Sequence, residues 1–142
     1  MVDLVFLTQQ FYIDHSQYPE ILHKDDRPHV QVKININGAL FCIPLRSNIS
    51  HPYVLWTDKV NKYGLDFSKT VIIADINKYI DCINRPTIRQ TEFNALRGKE
   101  YIIKSNLIKY INKYKKAKKN LNIPRNKLIV QYSSLQYFEK YI

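Results

Sequence analysis

The residues of this chain most able to do chemistry lie in two short stretches. Arg46, Ser47 and Asn48 are followed closely by His51 and Tyr53, and Ser68-Lys69 stands further along. An arginine fork grips phosphate oxygens, a serine hydroxyl and an asparagine amide donate to them, and a histidine titrates near neutrality. Ser68 adds a second hydroxyl and Lys69 a second cation. RNA supplies its own nucleophile, the ribose 2′-hydroxyl. A protein that cuts it without metal must remove that proton, stabilise a crowded phosphorane and protonate the leaving 5′-oxygen. Side chains of these types can perform those three tasks. Each also has a plainer reading, with His51 before Pro52 as a turn residue and Ser68-Lys69 as the lead-in to a strand.

Other familiar chemistries lack their residues. There is no glycine-rich phosphate loop, GxSxG elbow, HExxH pair or Cys/His cluster with zinc spacing. Asp25, Asp26 and His29 come nearest to a metal site. Adjacent carboxylates on a strand point to opposite faces, however, and Asp25-Asp26 before Arg27-Pro28 reads as a loop. Neither a metal nor a cofactor is expected.

The charge balance narrows the partners. Against 12 Asp and Glu stand 22 Lys and Arg, a formal net charge of +10 that draws polyanions. Eleven tyrosines accompany it, side chains that stack on unpaired bases and hydrogen-bond phosphate. Nucleic acid is thereby favoured over an anionic membrane, although richness in Lys, Asn, Ile and Tyr also fits an AT-rich genome. Lys109, Lys113 and Lys116 fall on one helical face, with Lys115, Lys118 and Lys119 crowding the following turn. Cations in a last turn are ordinary helix chemistry. The excess suggests a phosphate track. No window approaches the roughly 20 apolar residues of a membrane span, and no broad apolar face opposes the lysines for insertion into a bilayer surface.

These residues need a scaffold. With 142 residues, 45% of them hydrophobic, and no linker, low-complexity tract or repeat, one domain over residues 1–142 is expected. Met1-Val2-Asp3 carries an acid where a secretory signal needs a base, and Cys42 and Cys82 read as core thiols of a reducing compartment, so a cytoplasmic setting is expected. Val30, Val32, Ile34 and Ile36 alternate as in a half-buried strand that ends at Asn37-Gly38. That pair favours a type I′ turn and an antiparallel return over residues 39–45. Pro44 should end pairing there or mark a bulge or edge, sending residues 46–53 out as a loop. Residues 4–8, 70–74 and 100–104 read as short strands, with residues 64–69 as a turn, while 9–18 and 56–63 are ambiguous. Residues 90–97 read as a helix stopped by Gly98. The clearest helix runs from Ser105, as N-cap, to about Lys119, with Leu107, Ile108, Ile111 and Tyr114 as its apolar stripe. Beyond Pro124, residues 134–142 read as a closing amphipathic helix. The class is α+β, an antiparallel sheet with helices packed on it.

Two stretches, Phe41-Cys42-Ile43-Pro44-Leu45-Arg46-Ser47-Asn48-Ile49 and Gly64-Leu65-Asp66-Phe67-Ser68-Lys69-Thr70-Val71-Ile72-Ile73, resemble the TenpN branch of type III toxin-antitoxin toxins, related to ToxN and AbiQ. Shorter likenesses lie at Arg27-Pro28, Asn37-Gly38, Gly98 to Ile103, Tyr132 to Leu135 and Glu139 to Tyr141, so that they span nearly the whole chain. The resemblance implies a strongly twisted antiparallel sheet with a barrel-like core and flanking helices, distantly like MazF and Kid. It implies a metal-independent endoribonuclease toxin of phage-defence type that leaves a 2′,3′-cyclic phosphate. The implied partners are cellular RNA and a small RNA antitoxin containing a pseudoknot. The toxin processes that RNA, which then fills its groove and closes with it into a ring. Ser47 matches the family serine. Arg46 stands where ToxN has threonine and Ile49 where it has a catalytic lysine, which leaves His51 or Lys69 to supply the acid/base group. Arg27 and Tyr12 are further expected RNA contacts.

The combined expectation is that residues 46–53 and Ser68-Lys69 converge on one groove. Arg46 and Lys69 would neutralise the scissile phosphate, His51 would shuttle protons, and Ser47 and Ser68 would position oxygens. Asn48 and Tyr53 would touch RNA, while Lys109, Lys113 and Lys116 hold its flanking backbone. The alternative is a non-catalytic RNA- or DNA-binding regulatory domain, for which the lysine helix alone accounts.

Overall fold

Asn37 and Gly38 both take left-handed backbone, with φ of 51° and 84°, and so make the tight turn expected of them. They join β2 (Gln31–Ile36) to β3 (Ala39–Arg46) with Ile36 opposite Ala39 and Gln31 opposite Pro44. This is a computed structural model, which describes residues 2–23 and 28–142. β1 (Asp3–Val5) pairs with the outer side of β2. On its other side β3 meets two strands in turn: β5 (Tyr63–Asp66) pairs at Leu45 and Arg46, and β6 (Val71–Ile73) at Leu40 to Cys42. β4 (Val54–Asp58) lies outside β5.

β3 is central, and it is buried continuously from Leu40 to Leu45 because both of its faces are covered. Pro44 does not end it. The Leu45 N–H donates to the Val30 carbonyl, so the Pro44–Gln31 pair is not itself hydrogen-bonded and the proline nitrogen faces the opposite edge. On that edge β6 has ended and β5 has not begun. Residues 66–70, five of them, stand against Ile43 and Pro44, two. The missing N–H of proline leaves no donor unpaired there, and the chain swells out as a 3₁₀ turn, Phe67–Lys69. Only residues 47–53 leave the sheet as a loop; Arg46 is still strand.

Among the described residues the sheet is open, with β1 and β4 at its ends, so the barrel-like closure expected above is not formed. Closure would need a ladder between β1, three residues long, and β4, against which α3 (Gln90–Leu96) packs. The architecture is α+β with flanking helices. Preceding α3 are α1 (Gln9–Asp14), in the region left ambiguous above and capped by the Thr8 hydroxyl on the Phe11 N–H, and α2 (Ile76–Tyr79).

After α3 comes α4 (Glu100–Lys119), which corrects two expectations: residues 100–104 are its first turns rather than a strand, and Ser105 lies inside it. The β-branched run at Ile102-Ile103 suggested a strand, but the wider period prevails. Ile103, Leu107, Tyr110, Tyr114 and Ala117 recur at helical spacing and are all buried, whereas Ile108 is exposed. α5 (Pro124–Gln131) starts on its proline and packs on α4. The expected closing helix is instead two 3₁₀ turns, Ser134–Tyr137 and Glu139–Tyr141, because Ser134 is drawn inward to bond backbone of the Phe67–Lys69 turn region. Cys42 is buried as expected, but Cys82 is exposed because it follows the bridge residue Ile80 out of the core.

Candidate active site

The swelling between β5 and β6 opens with Asp66, a carboxylate with no exposed surface, which sequence reasoning passed over. Its two oxygens serve different neighbours. Oδ1 accepts from the Ser68 N–H at 3.0 Å and the Ser68 hydroxyl at 2.6 Å, and lies 3.0 Å from His51 Nε2. Oδ2 accepts from Arg46 Nη1 at 2.8 Å. A buried carboxylate is tolerated only with such partners. Burial by itself raises the Asp66 carboxyl, but the hydrogen bond and attraction of His51, with the bonds from Ser68 and Arg46, outweigh it and hold the group below the ordinary aspartate value.

The loop that carries His51 is anchored at both ends. Asn48 takes left-handed backbone at φ 57°, Ile49 turns inward to 2% exposure, and the Tyr53 carbonyl accepts from the Phe67 N–H at 3.0 Å. Ile49 is thus the loop's apolar pin. The Tyr53 N–H donates to His51 Nδ1 at 3.0 Å, so that nitrogen carries no proton and Nε2 is the protonated one. Nε2 faces Asp66 and, at 3.2 Å, the Ser68 oxygen. The result is an Asp–His pair in which Nδ1 is the proton-accepting nitrogen, with Asp66 behind Nε2 and a local amide seated on Nδ1.

His51, Tyr53, Ser68 and Lys69 line one cavity of about 420 Å³, closed on the far side by α5. A shallower groove of about 290 Å³ adjoins it, sharing Tyr53 and Tyr110 and continuing along Lys109 and Lys113. The Lys113 ammonium sits 5.8 Å from the centre of the Tyr53 ring. Lys116 is exposed one turn further along α4. Arg46 and Ser47 open instead into a cleft of about 400 Å³ beside α3, together with Tyr63 and Arg89. The two predicted stretches therefore meet through Asp66 but do not share one groove as expected: Arg46 and Ser47 face one cleft, whereas His51, Tyr53, Ser68 and Lys69 line another. Asn48 is exposed on the loop between them.

Three expectations are placed differently or left aside. The Lys69 ammonium donates to the Tyr132 carbonyl at 2.9 Å and lies 3.6 Å from Glu20, so its charge is already met within the fold. Arg125, on α5 in the same cavity, has no carboxylate partner among the described residues and is the cation sequence reasoning missed. The Tyr12 hydroxyl is buried, which pushes it up to about 12, and it is not presented to a nucleic acid. Arg27, with Asp25 and Asp26, lies outside the described residues. Asp66 itself had a readable signal, an acid between Leu65 and Phe67 with serine two positions on, the spacing of a side-chain cap.

Among the described residues no three His, Cys, Asp or Glu side chains gather where they could hold a metal ion. No helix of the described residues is long and apolar enough to cross a membrane. Comparison with protein-family models, with curated proteins and with solved structures finds no match to this chain.

Proposed function

We propose that the protein is a metal-independent endoribonuclease, a cytoplasmic toxin of type III toxin-antitoxin character, cutting RNA to a 2′,3′-cyclic phosphate and held in check by a pseudoknot RNA antitoxin that it processes and with which it closes into a ring. The observation that carries the nuclease reading is the Asp66–His51 pair at the edge of a cationic, tyrosine-lined groove. The antitoxin, the ring and a distant likeness to MazF and Kid rest on the resemblance of residues 41–49 and 64–73.

The chemistry follows from the proton positions. His51 Nδ1 accepts the 2′-hydroxyl proton once the Tyr53 amide, a bond between residues only two apart, gives way to substrate. Asp66 stabilises the imidazolium so formed through Nε2. The 2′-oxygen then attacks phosphorus, the bond from phosphorus to the 5′-oxygen breaks, and the His51 imidazolium returns its proton to the leaving 5′-oxygen, which regenerates the neutral ring. Ser68 spends its hydroxyl on Asp66 and is a positioning residue, as is Arg46 from the opposite side. The remaining Arg46 N–H groups and Ser47 face the second cleft, where an adjacent phosphate binds.

The test is incubation of purified protein in EDTA with an A-rich single-stranded RNA. Cleavage to cyclic-phosphate ends is expected, with His51→Ala slowing it on the order of 100-fold or more and leaving affinity for an uncleavable 2′-deoxy strand nearly unchanged. Absence of cutting, or full activity in His51→Ala, overturns the reading. A non-catalytic RNA-binding domain is the second reading, favoured by the amide already occupying Nδ1, and it predicts binding without cleavage.

A further inference from the structure

The solvent side of α5 is unusual for a protein of this charge. Arg125, Leu128 and Tyr132 follow one another at helical spacing, and Leu128 and Tyr132 are 52% and 54% exposed. With buried Ile129 they line the cavity of about 420 Å³, together with Tyr53 and the largely buried Tyr110. Its polar edge is Ser50, His51 and Ser68. The size falls toward the low end of small-molecule sites, about 300–1,000 Å³.

An occupant must be flat and apolar on its faces, polar at its edge, and joined to negative charge. Apolar walls alone would suit many ligands, but Arg125 at the rim, Lys109 and Lys113 in the adjoining groove, and a net charge of +10 select an anionic chain. None of these three cations has a carboxylate partner among the described residues. Aromatic walls with flanking cations are the features on which single-stranded nucleic acid stacks its bases.

We infer that this cavity seats one unpaired nucleobase, with the adjoining strand running along the Lys109–Lys113 groove. The inference builds on the nuclease reading above, because a base held there brings its own ribose to His51, and the cut then falls on the 3′ side of the seated nucleotide. Discrimination among RNA sequences thus belongs to the nucleotide immediately 5′ of the broken link. Leu128 lines the cavity and is exposed enough to be replaced without disturbing the core.

Two uncleavable probes test this on the full-length chain: a fluorescein-labelled 12-nucleotide oligodeoxyadenylate and an abasic phosphodiester of equal length. The native protein should bind the base-bearing strand on the order of tenfold more tightly than the abasic one. Leu128→Ser should erase most of that difference while barely altering affinity for the abasic strand, and Leu121→Ser, at another exposed leucine outside the cavity, should leave it intact. Equal affinity for both probes overturns the inference, as does an unchanged difference in Leu128→Ser. Cleavage in EDTA is read separately. A chain that cuts RNA but lacks the Leu128 dependence loses only the base site. One that shows the dependence without cutting loses only the nuclease reading.

Discussion

Asp66 shows how a single buried charge can join pieces of chain that sequence keeps apart. It accepts from Arg46, twenty positions earlier, and from Ser68, two positions later, while His51 approaches from a loop. Removing one member of a buried ionic group leaves the others uncompensated. Asp66→Asn should therefore lower stability at pH 7 by on the order of 3 kcal/mol. Because the folded-state value lies below the unfolded one, the carboxylate's contribution is complete above the ordinary aspartate value, about 3.9, and is lost as pH falls through the folded value. Urea unfolding of native and variant protein at falling pH should show their difference narrowing toward acid. A gap that stays constant would mean that Asp66 is not charged in the folded protein.

At the scale of elements, the site depends on contacts that arrive late in the chain. Ser134, fully buried, turns its hydroxyl to the carbonyls of Ser68 and Thr70, and Ser133 accepts from the Tyr110 hydroxyl at 2.7 Å. The C-terminal 3₁₀ turns thus brace both the Asp66–Ser68 corner and the tyrosine of the groove. Ser134→Ala should cost about 1–3 kcal/mol, the penalty of a buried acceptor left without a donor, and thermal unfolding would measure it. β5 is constrained as tightly. A side chain at Gly64 would meet the Leu55 carbonyl oxygen at 2.6 Å, so this glycine is required for close approach of β4 rather than for the turn its sequence suggested.

The whole molecule presents its charge unevenly. Lys109, Lys113 and Lys116 run along one exposed stripe of α4, and Arg125 faces the same region from α5. If this stripe holds the backbone of a single strand, each phosphate contact contributes about −0.7 to the slope of log affinity against log salt. Replacing the three lysines by alanine should make that slope shallower by about 2, as fluorescence anisotropy titrations across salt concentrations would show. An unchanged slope would remove α4 from the nucleic-acid path.

What the sequence determined alone was local. The β2–β3 hairpin followed from alternating Val30, Val32, Ile34 and Ile36 and from a turn pair that tolerates left-handed backbone. The lysine stripe followed from helical periodicity, which requires only neighbours along the chain. Its helix was read too short, because Ile102 and Ile103 favour a strand locally and only packing of Ile103 into the core decides otherwise. The meeting of Arg46, His51 and Ser68 was expected from their chemistry and from the resemblance, but no local pattern shows it, and Asp66, which joins them, was passed over. That meeting depends on β5 and β6 sharing one edge of β3 across the gap at Pro44, and a shared edge is a property of pairing between distant segments. Burial of Asp66 at that gap, and with it the proton positions of His51, exists only once the sheet has formed.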